Sequence, residues 1–150
     1  MAKKEFIEDE SLIELANKVI KDNNLDYLNG IRIKYLLVSP QISKTCVGRC
    51  IRSSAELKYF AETDYLIEFS NKVWEKIDEK TKEFVMLHEL KHILIINKED
   101  GETVMSLAPH DVQDFSSILK KYGVDWFTNF STQVSSIQDM TPTEKDKISI

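Results

Sequence analysis

The chain has 150 residues, 42% of them hydrophobic, with 25 acidic against 20 basic side chains and a formal net charge of −5. That supplies one domain with a real core, and no run of about 18 apolar residues is present to span a membrane. Net negative charge argues against general affinity for nucleic acid, and two cysteines are too few for a disulfide framework.

Residues 1–10 pass from lysines to acids without the apolar stretch of a secretory leader, so an intracellular location is expected. Ser11 and Glu14 have the spacing of a capping box and predict a helix over 11–21, with Leu12, Leu15, Ala16, Val19 and Ile20 facing inward. Asn23 and Asn24 end it, and Asn29-Gly30 reads as a turn. Alternation over 31–35, continued by apolar 36–38, predicts a strand that Ser39-Pro40 interrupts. A second strand is expected over 45–52, where Gly48 marks a bulge or a close backbone approach. Residues 55–60 read equally as helix or strand. A further strand over 64–69 is either interior or an edge able to pair with an extended peptide. Trp74 is expected in the core.

The cysteines, Cys46 and Cys50, would stand about 13 Å apart along a strand. A disulfide needs less than about 7 Å, so both are expected as small buried thiols in a reducing compartment. Charge is uneven: over 30–60, Arg32, Lys34, Lys44, Arg49, Arg52 and Lys58 face only Glu56. This segment is read as a solvated face, with contact to nucleic acid or an acidic partner as the functional alternative.

Residues 84–94 contain no proline or glycine and carry apolar side chains at helical spacing. Asp78 suits the N-cap and Glu79 the first turn, so the helix is expected to begin near residue 79. Within it lies His88-Glu89-Leu90-Lys91-His92, an H-E-x-x-H run. Residues four apart share a helix face, so two imidazoles can meet one Zn²⁺. Glu89 then lies beside the metal as a general base for water. Lys91 is an unusual cation at an inner position, and its ammonium is expected to turn away from the metal.

A catalytic zinc takes three protein ligands and keeps a position for water. After a turn around Asp100-Gly101, the chain can return through 103–107 and deliver His110 as the third ligand. Glu99, Glu102, Asp111 and Asp114 compete for that role, with Asp111 and Asp114 preferred as acceptors that orient a ligand imidazole. Val112, Phe115, Ile118, Leu119 and Tyr122 then recur at helical spacing up to Gly123, predicting a helix that opens at His110. Trp126, Phe127 and Phe130 are expected to dock, and 131–150 reads as a polar, loosely ordered tail after a single domain over 1–130.

The run 64–68 before Val73-Trp74, the H-E-x-x-H string, Asp100-Gly101 and His110-Asp111-Val112-Gln113-Asp114-Phe115 together resemble the putative phage metallopeptidases over residues 30–123. That family is similar to the SprT-like branch of the zincins. The resemblance implies an α+β fold, in which a small mixed sheet is flanked by the N-terminal helix, the motif helix and a C-terminal helix. It implies His88, His92 and His110 as metal ligands, Glu89 as the catalytic glutamate and a peptide or protein substrate. SprT-like proteins include DNA-linked proteases, which keeps nucleic acid as an alternative partner. The other expectation from the residues is a non-catalytic binding module stapled by the same metal.

Overall fold

The computed structural model describes residues 3–109 and 126–150. The fold is mixed α and β, with a four-stranded sheet and a separate two-stranded hairpin. In chain order, β1 (Glu5–Ile7) leads into α1 (Glu10–Asp22) and a 3₁₀ turn (Asp26–Leu28). Next come β2 (Ile33–Ser39), β3 (Gly48–Arg52), α2 (Ala55–Ala61), β4 (Tyr65–Ser70) and the one-turn α3 (Asn71–Trp74). The motif helix α4 (Glu79–Lys91) runs into the hairpin of β5 (Ile93–Asn97) and β6 (Thr103–Leu107). Beyond residue 125 lie α5 (Trp126–Gln138) and α6 (Pro142–Lys145).

The sheet order is β1-β2-β4-β3. β2 and β4 run parallel with Tyr35 opposite Ile67, while β1 and β3 are antiparallel to their neighbours. β4 is therefore interior, not an edge. Its composition explains this, since Tyr65, Ile67, Phe69 and even Glu68 and Ser70 are buried, as expected of a strand covered on both faces. Gly48 of β3 meets the expectation of a close approach: a Cβ there would lie 3.0 Å from the Phe69 ring. That ring is stacked on Trp74 at 4.1 Å, in the core.

Helix α1 is capped by Asp9, whose carboxylate accepts from the Ser11 N–H at 2.9 Å, rather than by Ser11. Both residue types cap well, but a carboxylate also interacts favourably with the helix dipole. Asp78 caps α4 as expected, accepting from the Thr81 N–H at 2.8 Å. That hydrogen bond holds its carboxyl below the ordinary value. Residues 55–60, undecided in sequence, form α2 behind the Ser54 cap.

Two further expectations are corrected. The apolar stripe of α4 does not continue to Leu94, because the helix stops at Lys91 and Ile93 opens a strand. The β-branched residues Ile93, Ile95 and Ile96 favour that conformation. The stretch 131–150 is not a loose tail. Trp126, Phe130 and Val134 recur at helical spacing and are buried, and Ile148 and Ile150 also join the core. Intervening Ser, Thr and Gln hide this spacing in the sequence.

The cations of 30–60 are largely committed to local partners. Arg32 and Lys58 ion-pair with Asp64, Arg49 with Glu68, and Lys44 with Glu144, while Arg52 donates to the Met105 carbonyl. Among the described residues no helix is long and apolar enough to cross a membrane.

Candidate metal centre

The second half of α4 is enclosed on every side: Val85, Met86, Leu87, His88, Glu89 and Leu90 are all buried. A helix covered all round loses the one-sided stripe of a surface helix. The exposed first turns carry Glu79 and Lys80, and Lys18 of α1 ion-pairs with Glu83 to tie the two helices together. α4 packs on α1 and on β3, so its inner end is fixed against the sheet.

At that end His88, Glu89 and His92 bring one ligand-capable atom each to within 4.8 Å of one another. His88 and Glu89 have no solvent exposure, whereas the His92 side chain retains 16%. The His88 and His92 rings lie 5.1 Å apart, centre to centre, edge to face. His92 Nε2 is 4.0 Å from Glu89 Oε1. Lys91, the unusual cation, is half-buried.

His92 caps α4, its N–H donating to the Glu89 and Leu90 carbonyls. Its ring is oriented by the hairpin, with Nδ1 2.7 Å from the Ala108 carbonyl oxygen. An Nδ1–H donated to that oxygen leaves the Nε2 lone pair directed toward Glu89, the tautomer a metal ligand needs. The hairpin is in turn tied to the sheet. Tyr65 on β4 donates its hydroxyl to the Ser106 carbonyl at 2.8 Å, and burial pushes that phenol up to about 12.

His88 Nε2 lies 3.2 Å from a main-chain oxygen of Ile150. Two nearby thiols stay protonated: burial pushes Cys46, just before β3, and Cys50, on β3, up, and the negative charge of Glu89 adds to the shift at both. Both cysteines are free, as their spacing predicts.

The donor set fits a divalent cation. Two neutral imidazoles four residues apart suit a borderline metal. A carboxylate wholly removed from water is costly to keep ionised unless positive charge lies close, and a divalent ion held by the two imidazoles would supply that charge.

Of the residues singled out in the sequence, His88, Glu89 and His92 come together. His110, Asp111 and Asp114 lie outside the described residues, as does the helix expected to follow. Glu99 and Glu102 are removed from the centre, because they occupy the hairpin tip around Gly101 (φ 88°) at the far end of β5 from His92. A five-residue strand separates the two by roughly 16 Å. The contacts missed in sequence, the main-chain oxygens of Ala108 and Ile150, are backbone atoms and carry no residue signature.

The family model described as putative phage metallopeptidase matches residues 4–139. No curated protein and no solved structure matches the chain.

Proposed function

Since the chain belongs to the putative phage metallopeptidase family, we propose that it is a zinc-dependent peptidase whose centre is built on the inner end of α4. The observation that carries this reading is the convergence of His88, Glu89 and His92 within 4.8 Å, two of them fully buried and His92 still open to solvent. His88 and His92 would hold the metal. His110 is the proposed third ligand, supported by the tether of Ala108 to His92. Two further residues of extended chain span at most about 7 Å. Asp111 and Asp114 remain proposed orienting acceptors.

When bound, zinc polarises a carbonyl and makes water acidic enough to lose a proton near neutral pH. Glu89 receives that proton at its carboxylate and passes it to the amine that leaves when the peptide bond breaks. Val85, Met86 and Leu90, all buried, pack the same end of the helix into the core and hold Glu89 in place. His92, with its ring fixed by Ala108, keeps its Nε2 oriented toward the same space.

The proposed substrate is a peptide or protein. Nucleic acid is not the partner proposed, since four of the six cations of 30–60, Arg32, Lys44, Arg49 and Lys58, pair with Asp64, Glu68 and Glu144.

The test is Glu89→Gln, assayed for zinc content and for hydrolysis of a mixed peptide library. Zinc content should persist while hydrolysis falls by at least about a hundredfold, the lower range for a lost general base. Stoichiometric zinc in a wild-type chain that cleaves nothing would favour the metal-stapled binding module instead.

A further inference from the structure

The four-stranded sheet leaves part of its β2 edge open. β1 covers β2 only at Leu37, Val38 and Ser39, before Glu8 and Asp9 lead the chain into α1. The bonds to β4 show which way the rest of β2 points. The Tyr65 N–H donates to the Arg32 carbonyl at 3.1 Å, and Ile33 stands opposite Tyr65 in the parallel register. Arg32, Lys34 and Leu36 therefore direct their backbone groups at β4, and the alternation along the strand turns the N–H and C=O of Ile33 and Tyr35 the opposite way. Among the described residues no hydrogen bond meets those groups on that side.

Ile33 and Tyr35 line a groove of about 420 Å³ that they share with the start of α1, a volume within the range of ligand sites. Glu10 and Ile13, three residues apart, present one face of α1 to it, and Ile13 keeps half of its surface exposed. The charge of the groove is negative. Glu8, Asp9 and Glu10 stand against the single ammonium of Lys34 among the described residues that line it. Asp9 is committed to the Ser11 N–H as the helix cap, which leaves Glu8 and Glu10, both exposed, to meet a cation.

We propose that the open edge of β2 is a docking site for an extended segment of a partner protein in which basic and apolar residues alternate. The segment adds to the sheet as a strand beside Ile33 and Tyr35, where β1 leaves off. Four steps of about 3.3 Å from Ile33 to Leu37 give roughly 13 Å, room for three or four residues. Backbone pairing holds any extended chain, and the side chains on either side of it select which one. Apolar residues meet Ile13, and basic residues meet Glu8 and Glu10. A second copy of this chain fits less well, because edge-to-edge pairing would set the same acids against one another. The site does not depend on the reading of the metal centre.

The probe is a fluorescent hexapeptide of alternating valine and lysine, titrated onto the full chain up to millimolar concentration. It is compared with a valine–glutamate counterpart and with a form N-methylated throughout, while amide exchange is followed at Ile33 and Tyr35. The lysine peptide should bind and slow exchange at both amides. N-methylation should weaken binding at least about tenfold, through the lost hydrogen bonds. Glu8→Gln with Glu10→Gln should weaken it about fivefold. Ile33→Pro removes an edge N–H at the first residue of β2, where proline is tolerated, and should weaken binding by a similar factor. Absence of binding at millimolar peptide overturns the site, as does equal binding of the glutamate or N-methylated form. Protection of other amides with Ile33 and Tyr35 unchanged also overturns it. Sedimentation of the chain alone should give a monomer, and a dimer abolished by I33P would make a second copy the occupant and overturn the partner segment.

Discussion

Ala108 grips His92 twice. Its N–H donates to the His92 carbonyl at 2.7 Å, and its own carbonyl oxygen lies 2.7 Å from His92 Nδ1. The residue that ends α4 is therefore oriented by the residue that follows β6, sixteen positions later.

Replacing Ala108 with proline deletes the N–H and leaves the His92 carbonyl without that donor. Metal affinity should fall by about 10–100-fold, the usual penalty for disturbing an orienting partner. Calorimetric titration with zinc measures this, and circular dichroism checks that the fold survives. Unchanged affinity in a folded A108P would show that the ring holds its direction without the hairpin.

Zinc should stabilise the folded chain in proportion to its occupancy. At a free concentration one hundred times the dissociation constant, the gain is about 2.7 kcal/mol. Thermal unfolding with zinc and with a chelator should differ accordingly, and His92→Ala should abolish the difference. A shift that persists in H92A, and in H88A, would place the metal elsewhere.

Asp64 makes stability sensitive to acid. Burial alone would raise its pKa, but hydrogen bonds from the Arg32 side chain and N–H, with the charges of Arg32 and Lys58, outweigh burial and hold it below the ordinary 3.8. A carboxyl depressed on folding contributes stability that is complete above its unfolded value and is lost as pH falls through the lower folded value. Asp64→Asn should cost about 1–3 kcal/mol at pH 7 and flatten the loss of stability below pH 3.8. Urea denaturation at pH 7 and in acid reads both effects, and a D64N chain as acid-sensitive as the parent would remove Asp64 as the cause.

Gly48→Ala tests the packing of β3 on β4. The new methyl would sit 3.0 Å from the Phe69 ring, and stacking on Trp74 at 4.1 Å blocks that ring from moving aside. Overpacking of this kind costs about 1–3 kcal/mol. A midpoint of urea unfolding equal to that of the parent would mean the ring has room to move.

Local chemistry made much of this legible in sequence. Asp78 and Glu79 marked the start of α4, the alternation at 31–35 marked β2, Asp100-Gly101 marked the hairpin turn, and the histidine spacing marked the centre. Properties that depend on distant residues were hidden. The basic stretch 30–60 looks free in one dimension because its partners Asp64, Glu68 and Glu144 lie outside it. β4 looked as much like an edge as an interior strand, since alternation does not record what lies on either side. The end of α4 was misread because Ile93 and Leu94 fit a helical stripe as well as a strand, and only the pairing of Ile93 with Leu107 decides between them. The main-chain oxygens of Ala108 and Ile150 belong to residues with no chemistry of their own.

No spacer separates α4 from β5: Lys91 ends the helix, His92 stands alone, and Ile93 is already paired with Leu107. The imidazole is thus mounted on the hinge pin between a helix locked in the core and a hairpin whose tip reaches into solvent. Whatever binds the tip near Gly101 acts on the same hairpin whose base, at Ala108, orients His92, the proposed metal ligand.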